Sequence, residues 1–353
     1  MEVSVIIPTY HSSHDIPNIV NCLKNQTFTD FEAIFVNDGD RSQDQALAAA
    51  QAADGRIKVI SLPENVGVSA ARNIGLEAAQ GTFVSMVDVD DIFGPQFLQT
   101  MYGAITAEEG VDLAVSGLSS LNVRAKKTTF VTFDLGGEEM KVLPKAEAYR
   151  LMYRSDLRYY PHNKMYRLSV IRDNGIRWER YQSHEDMLFN LLYYEEASKI
   201  ALLRDSGYIY CMAEKRSLSS IYDHNLQESR RLAMGRELHL MLELGFSEQE
   251  MAEHRSSLLV HLAFLIAING FKHNSPLSFK EQRAVIRSGI IDCPEVAEAV
   301  ISSTEPGGLP YSLLRFFTRI KRAKGLAISF AIMMKAKYTF TGLYSRIRTI
   351  FFK

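Results

Sequence analysis

The sequence predicts an α/β fold: a mostly parallel sheet with helices on its faces, followed by a helical C-terminal region. Three observations lead there. Through the first hundred residues, strand-length apolar runs alternate with helical stretches. Polar and glycine-bearing clusters fall where those apolar runs stop. Beyond about residue 225 the alternation gives way to helical spacing with few β-branched runs. Strand–helix alternation implies parallel strands joined by crossover helices.

The elements follow in order. Residues 3–7 form a buried strand closed by Pro8, and 15–25 have helical spacing. A second strand, 31–36, ends in the turn NDGD, and the alanine-rich stretch 42–53 is helical. A third strand spans 57–62, a second alanine-rich helix 68–79 and a fourth strand 82–87. Farther on, 113–116, 128–133 and 200–203 read as strands, and 144–154 and 186–197 as helices. TEPGGLP, 304–310, is rich in breakers and reads as a linker. Ligands of such sheets bind beyond the carboxyl ends of the strands. PTYHSS, NDGDRS, PENVGVS and DVDD occupy those ends. One nucleotide site assembled from four strand ends is therefore expected. Neither GxGxxG nor a Walker A sequence occurs, so the dinucleotide fingerprint and the P-loop are excluded.

Composition sets the outer bounds. A chain of 353 residues has room for about two domains. At 46% hydrophobic and 23% charged it is ordinary for a globular protein. The three cysteines, Cys22, Cys211 and Cys293, are scattered and form no CxxC, which points to a reducing compartment and away from a thiol-ligated metal. MEVSVIIPTY lacks the basic and long apolar regions of a signal peptide. No run of 18 apolar residues suggests a membrane-spanning helix. The net charge of −1 conceals an asymmetry: residues 306–353 hold ten Lys or Arg and no Asp or Glu. That tail calls for an anionic partner.

DVDD, 88–91, gathers three like charges just past an apolar strand. Hard oxygen ligands suit Mg²⁺ or Mn²⁺. Side chains alternate along a strand, so Asp88 and Asp90 are expected on one side and Asp91 on the other. A metal held there keeps positions open for phosphates and offsets the charge of a departing diphosphate. The competing explanation is a run of N-cap and first-turn carboxylates at a helix start.

The company of this motif carries a resemblance. VSVIIPTY, FEAIFVNDGD and ENVGVSAARNIGLEAAQGTFVSMVDVDDIF, in that order, resemble the nucleotide-sugar-binding half of family 2 glycosyltransferases with the GT-A fold. HNKMYR (162–167), IRWERYQSHEDMLFNLLYYEEASKI (176–200) and GYIYCMAEKRSLSS (207–220) resemble the acceptor half of bacterial polysaccharide and teichoic-acid-type members. The resemblance covers roughly residues 1–225. It implies a GT-A catalytic domain over 1–225, with a Rossmann-like nucleotide-sugar half, 1–95, and an acceptor side, 96–225. A helical domain, 226–303, follows, and then a linker and basic amphipathic tail, 304–353.

The resemblance also implies roles. Pro8 and Tyr10 cup the base, and Asp38 contacts it, usually as uracil. The family text is D-D-G-S, so Asn37 and Asp40 depart from it while Asp38 and Gly39 are kept. Gly67 permits close backbone approach at a helix N-terminus, where negative charge is favoured. Arg72 and Asn73 match positions near the sugar, with a salt bridge from Arg72 to a sheet-end carboxylate as a compatible structural reading. Asp88 resembles the nucleotide-side acid and Asp90 the direct ligand of Mn²⁺ or Mg²⁺. Asp91 is expected to brace the loop or the acceptor side. His224 is a further candidate metal ligand. Glu185 and Asp186 match the family's E-D pair, with Asp186 as general base of an inverting transfer. Lys164 belongs to the acceptor side or braces the Asp186 helix, and Arg216 and Ser219 lie where a loop folds over the diphosphate.

The expected partners are a nucleotide-sugar, UDP-sugar foremost, and a saccharide or lipid-linked acceptor in capsule, lipopolysaccharide or similar surface-polymer synthesis. Residues 311–353 mix Phe, Leu and Ile with Arg and Lys, as an amphipathic segment on an anionic membrane would. Nucleic-acid binding produces a similar pattern, but a lipid-linked acceptor gives the membrane a purpose, so no nucleic acid is expected. An oligomer contact is the third reading of the tail. The expected location is cytoplasmic, at the inner face of the cell membrane. Two rival functions remain. A nucleotidyltransferase would ordinarily carry a Gly-rich, Arg/Lys-bearing loop after the first strand, which PTYHSSHD lacks. A non-catalytic sugar-nucleotide or membrane-binding scaffold is the other.

Overall fold

Buried apolar runs make the strands of the first half. β1 (Val3–Thr9) is buried along nearly its whole length, as a strand covered on both faces must be. It is followed by α1 (Ile16–Lys24), β2 (Phe31–Asn37), α2 (Asp44–Ala53), β3 (Ile57–Ser61), α3 (Val68–Ala78) and β4 (Phe83–Met86). The computed structural model describes residues 1–122, 126–212, 221–304 and 308–339. The chain divides into two compact units, Met1–Tyr181 with Glu185–Glu214, and Gln182–His184 with Lys215–Lys353.

The first unit continues through β5 (Ile92–Phe93), α4 (Phe97–Ile105), β6 (Val111–Ser116), β7 (Leu118–Asn122), β8 (Lys127–Val131), β9 (Met140–Pro144) and α5 (Lys145–Met152). It then adds β10 (Lys164–Arg167), α6 (Leu168–Asp173), α7 (Glu185–Glu196), β11 (Lys199–Leu203) and β12 (Tyr208–Met212). Eight strands form one largely parallel mixed sheet in the order β3-β2-β1-β4-β10-β6-β11-β9. β3, β2, β1 and β4 are parallel, as the alternation predicts. β10 runs antiparallel between β4 and β6. A second sheet has the order β5-β12-β7-β8. The sequence reading missed β10, a four-residue strand with Lys164 and Arg167 at its ends and so neither apolar nor alternating.

Two glycines show how tightly the first four strands and their helices are closed. A Cβ on Gly75 of α3 would lie 2.4 Å from Ile6 Cγ2, so this helix packs backbone-close on β1. Gly39, after β2, has φ +75°, and a Cβ there would lie 2.2 Å from the Glu64 carbonyl carbon. Only glycine accepts both that left-handed backbone and that approach.

The second unit is helical: α8 (Leu226–Glu243), α9 (Glu248–Asn269), α10 (Phe279–Ile286), α11 (Pro294–Ser302), α12 (Gly308–Arg319) and α13 (Ala323–Thr339). Ser247 with Glu250, and Ser278 with Glu281, form capping boxes that start α9 and α10. α9 is long and apolar enough to cross a membrane by length and composition, yet its Leu258, Leu262, Ala263 and Ile266 sit in the core of this unit. Leu314 of α12 and Leu326, Ala327 and Phe330 of α13 share that core. The segment expected to be a tail after a linker is thus folded into the helical unit as far as it is described. The expected boundary at 225/226 likewise falls earlier, after Glu214. Gln182–His184, although just ahead of α7, belongs to the helical unit. Gln182 Nε2 donates to the Tyr222 carbonyl at 3.2 Å, and His184 Nδ1 lies 3.1 Å from Ser229 Oγ. His184 holds a left-handed φ of +68°.

Gly39→Ala is expected to lower stability by about 2–4 kcal/mol, from left-handed strain and overpacking together. A thermal or urea melt against wild type checks this.

Candidate active site

The carboxyl ends of β1, β2 and β4, with the N-terminus of α3 and the start of α7, carry the chemistry. Past β2, Asp38 is buried and both its oxygens are used. Oδ1 accepts from the Val66 amide at 2.7 Å, and Oδ2 from the Gly67 amide and Asn65 Nδ2, each at 3.0 Å. Asp38 therefore fixes the loop that enters α3. Gly67, with φ +91°, is the N-cap of that helix, and apart from its chain neighbours no described residue comes within 4 Å of where its Cβ would be. The departure at Asn37 has a physical reason. Its Nδ2 donates to the Asp40 carbonyl at 3.0 Å and to Asp44 Oδ1 at 3.2 Å, while its Oδ1 accepts from the Asp40 amide and Gln43 Nε2. An ionised aspartate could not donate. Asp40 in turn holds His11 through the backbone amide at 3.0 Å and the ring at 2.9 Å. Pro8 lies in β1, and Tyr10 just beyond it is 47% exposed, tilted over His11 at 4.0 Å.

Arg72, one turn into α3, is the centre of the site. It is 4% exposed, and its guanidinium donates to Asp186 Oδ1 at 2.7 Å and to Asp88 Oδ1 at 3.2 Å. It also lies over the Trp178 ring, 4.5 Å from its centroid. Burial alone would lower its pKa, but Asp186 and Asp88 outweigh that and hold it above its ordinary value. Asn73, the next residue, clasps the backbone of Trp178: Nδ2 donates to its carbonyl at 3.0 Å, and Oδ1 accepts from its amide at 2.9 Å. Trp178 is stacked on Phe189 of α7 at 4.2 Å and 5°. α3, the Trp178 segment and α7 are thereby locked together, with Asp186 at the joint.

Asp186 keeps about a third of its side chain exposed (34%). Burial of the site raises its pKa, while Arg72 opposes the rise. The neighbouring Glu185 is pushed to about 8 by burial and by Asp186. Asn190, one turn on, bonds the Asp186 carbonyl at 2.8 Å and accepts from the Tyr166 hydroxyl at 2.9 Å. The N-K-x-Y-R segment thus braces the helix that carries Asp186, through Tyr166. Lys164, which the sequence placed on the acceptor side or as a brace, has no exposed surface. Its ammonium donates to the carbonyls of Leu157, at 2.7 Å, and Tyr160, and to Asn163 Oδ1. A lysine so enclosed does not reach an acceptor, so that expectation is corrected.

The strand-alternation argument for the acidic cluster is corrected too. β4 ends at Met86, and 88–91 form a turn in which the Asp91 amide bonds the Asp88 carbonyl at 3.2 Å. The turn returns Asp91 inward. Asp91, expected to point away from Asp88, is 1% exposed and accepts from the Tyr208 hydroxyl and the Cys211 amide, each at 2.8 Å. Burial and Asp88 push it up to about 8. Asp88, Asp91 and His162 each offer a ligand atom within 4.8 Å of the others. Asp90 is exposed outside this trio.

His162 was missed, although it opens the quoted HNKMYR. No spacing pattern in the sequence marked it. It is 4% exposed and stacked on Tyr208 and Tyr210 at 5.1 and 5.3 Å. Among the described residues neither ring nitrogen has a hydrogen-bond partner, and Nδ1 lies 3.7 Å from Asp88 Oδ2. Burial pulls its pKa down to about 4, so the ring is neutral, the form that binds metals. Two carboxylates beside an orphaned neutral imidazole fit a divalent cation such as Mn²⁺. His224 joins no such trio among the described residues. It stands exposed in the helical unit, edge-on to Tyr222 at 4.8 Å. Arg216 and Ser219 lie outside the described residues.

Residues 4–175 match the model for Glycosyl transferase family 2. Over that stretch the chain is similar to family 2 glycosyltransferases. Its sequence is 29% identical over 311 residues to the poly(ribitol-phosphate) β-N-acetylglucosaminyltransferase TarS of Staphylococcus aureus, covering 86% of this chain and 52% of that one. It is 28% identical over 345 residues to the putative glycosyltransferase EpsH of Bacillus subtilis, covering 95% of both. The chain therefore spans about half the length of TarS and nearly all of EpsH. Among solved structures, S. aureus TarS 1–349 in complex with UDP-GlcNAc superposes with a TM-score of 0.66 at 24% identity, over 96% of this chain and 91% of that one. The fold of the transferase domain is thus the expected GT-A fold.

Trp178 is the one tryptophan of the chain, so its fluorescence reports the joint directly. Asn73→Ala is expected to red-shift its emission and cost about 1–3 kcal/mol, because two buried backbone groups lose their partner. Emission spectra and a thermal melt check both effects.

Proposed function

We propose that the chain is an inverting glycosyltransferase moving a sugar from a nucleotide-sugar, a UDP-sugar first of all, to a hydroxyl of a cell-surface polymer or its lipid-linked precursor. The observation that carries this reading is the Arg72 bridge. One buried guanidinium ties Asp88, at the donor end of β4, to Asp186 at the start of α7, setting a donor-side acid and a base on two faces of one site. Arg72 occupies Asp186 Oδ1, so Oδ2 is the oxygen offered to the acceptor. The acceptor oxygen attacks the anomeric carbon, its proton passes to Asp186, and the bond to the diphosphate breaks on the opposite face. Asp88, Asp91 and His162 would hold the cation, with exposed Asp90 beside them. When bound, a divalent ion supplies charge neutralisation at the leaving diphosphate. The 29% likeness to a poly(ribitol-phosphate) N-acetylglucosaminyltransferase makes UDP-N-acetylglucosamine the first donor to try and a polyol-phosphate polymer the first acceptor.

Asp186→Asn is expected to lower kcat by about a hundredfold to ten-thousandfold with UDP binding unchanged, as loss of a general base does. Transfer assays with UDP calorimetry test it, and full turnover in the variant overturns the base assignment. The pH profile has a definite sign. The base must be ionised and its pKa is raised, so kcat climbs with pH along an acid limb centred above the ordinary aspartate value. For the cation, Mn²⁺ calorimetry in the presence of UDP is expected to show at least about tenfold weaker binding in His162→Ala. Equal affinity would remove His162 from the ligand set.

A further inference from the structure

We propose that α12 and α13 form a docking face for an anionic membrane surface. Both helices are two-sided. Leu314 of α12, and Leu326, Ala327 and Phe330 of α13, enter the core of the helical unit. The opposite faces are apolar again. Phe316 of α12 and Ile320, just past its end, are 56% and 44% exposed. Ile328 and Ile332 are 42% and 64% exposed, one turn apart on α13. Such large apolar groups in water mark a contact surface when they cluster.

Charge selects the occupant. Arg319, the exposed last residue of α12, falls between Phe316 and Ile320 in the chain, and on α13 the exposed Lys324 and Lys335 bracket the two isoleucines at helical spacing. No Asp or Glu occurs in residues 306–353, so these two helices themselves carry only basic charge. A protein–protein interface of this chain with itself would place these like charges against one another, and interface centres are depleted of charge. A nucleic-acid backbone satisfies the cations but offers nothing to the isoleucines. An anionic lipid surface satisfies both: headgroups meet Arg and Lys, and acyl chains meet Phe and Ile. This surface goes beyond the transfer reaction and does not depend on it.

The test uses the full chain and sucrose-loaded vesicles of phosphatidylcholine alone, or mixed with phosphatidylglycerol. Co-sedimentation with the mixed vesicles only, weakening as salt rises, is expected. R319E/K324E/K335E should lower the partition coefficient by about a hundredfold, and I328S/I332S by at least about tenfold. Thermal melts of both variants should match wild type, because every changed side chain is exposed. The proposal is overturned by absence of binding to the mixed vesicles, by equal binding to neutral ones, or by binding that neither variant weakens. Light scattering that reveals a dimer dissolved by I328S/I332S would overturn it as well.

Discussion

The site is organised by one buried cation. Arg72 sits one turn into a helix, nearly without solvent, facing two carboxylates and lying on an indole ring. Removing such a charge from water is costly unless its partners are close and well aimed. That cost explains the surrounding framework. Asn73 pins the tryptophan backbone, Phe189 backs the indole, and Asn190 and Tyr166 hold the helix that carries Asp186. Each of these groups keeps a carboxylate where the guanidinium can reach it. Arg72 also shapes the chemistry: it restrains the rise of the Asp186 pKa that burial produces, leaving a carboxylate that is more basic than usual yet still ionisable.

Much of this was legible in the residues. The strand–helix alternation of the nucleotide half was plain, because buried parallel strands read as apolar runs and alanine-rich helices read by their spacing. Arg72 was expected to pair with a sheet-end carboxylate, and it does. The failures share a cause: they depend on local backbone geometry or on neighbours distant in sequence. Period-two reasoning assigned Asp91 to the wrong side because the chain leaves strand geometry at Val87 and turns. Lys164 was expected on the acceptor side or as a brace of the Asp186 helix, and its own segment does not reveal that it is buried. Its carbonyl and amide acceptors come from Leu157, Tyr160 and Asn163, packed under β10. His162 carried no spacing pattern at all. It acquires meaning only when β10 and β12 bring Asp88, Tyr208 and Tyr210 around it.

The NDGD turn shows how a departure from a family text can be conservative in physical terms. Asn37 uses both halves of its amide, accepting from two groups and donating to two, so the turn after β2 keeps its shape. Asp38 keeps its charge but spends it on three donors of the loop that leads into α3. The two loops therefore form one object, and Gly39 is where they touch.

The three residues before α7 have an evolutionary consequence. Gln182 and His184, four and two positions ahead of Asp186, find their partners at Tyr222 and Ser229 within the helical unit. A helical unit acquired by recombination would have to bring its own equivalents of those partners. Without them, the left-handed turn at His184 would lose its anchor. The helical unit is therefore a poor candidate for modular exchange, and its divergence should be tied to that of the three residues it holds.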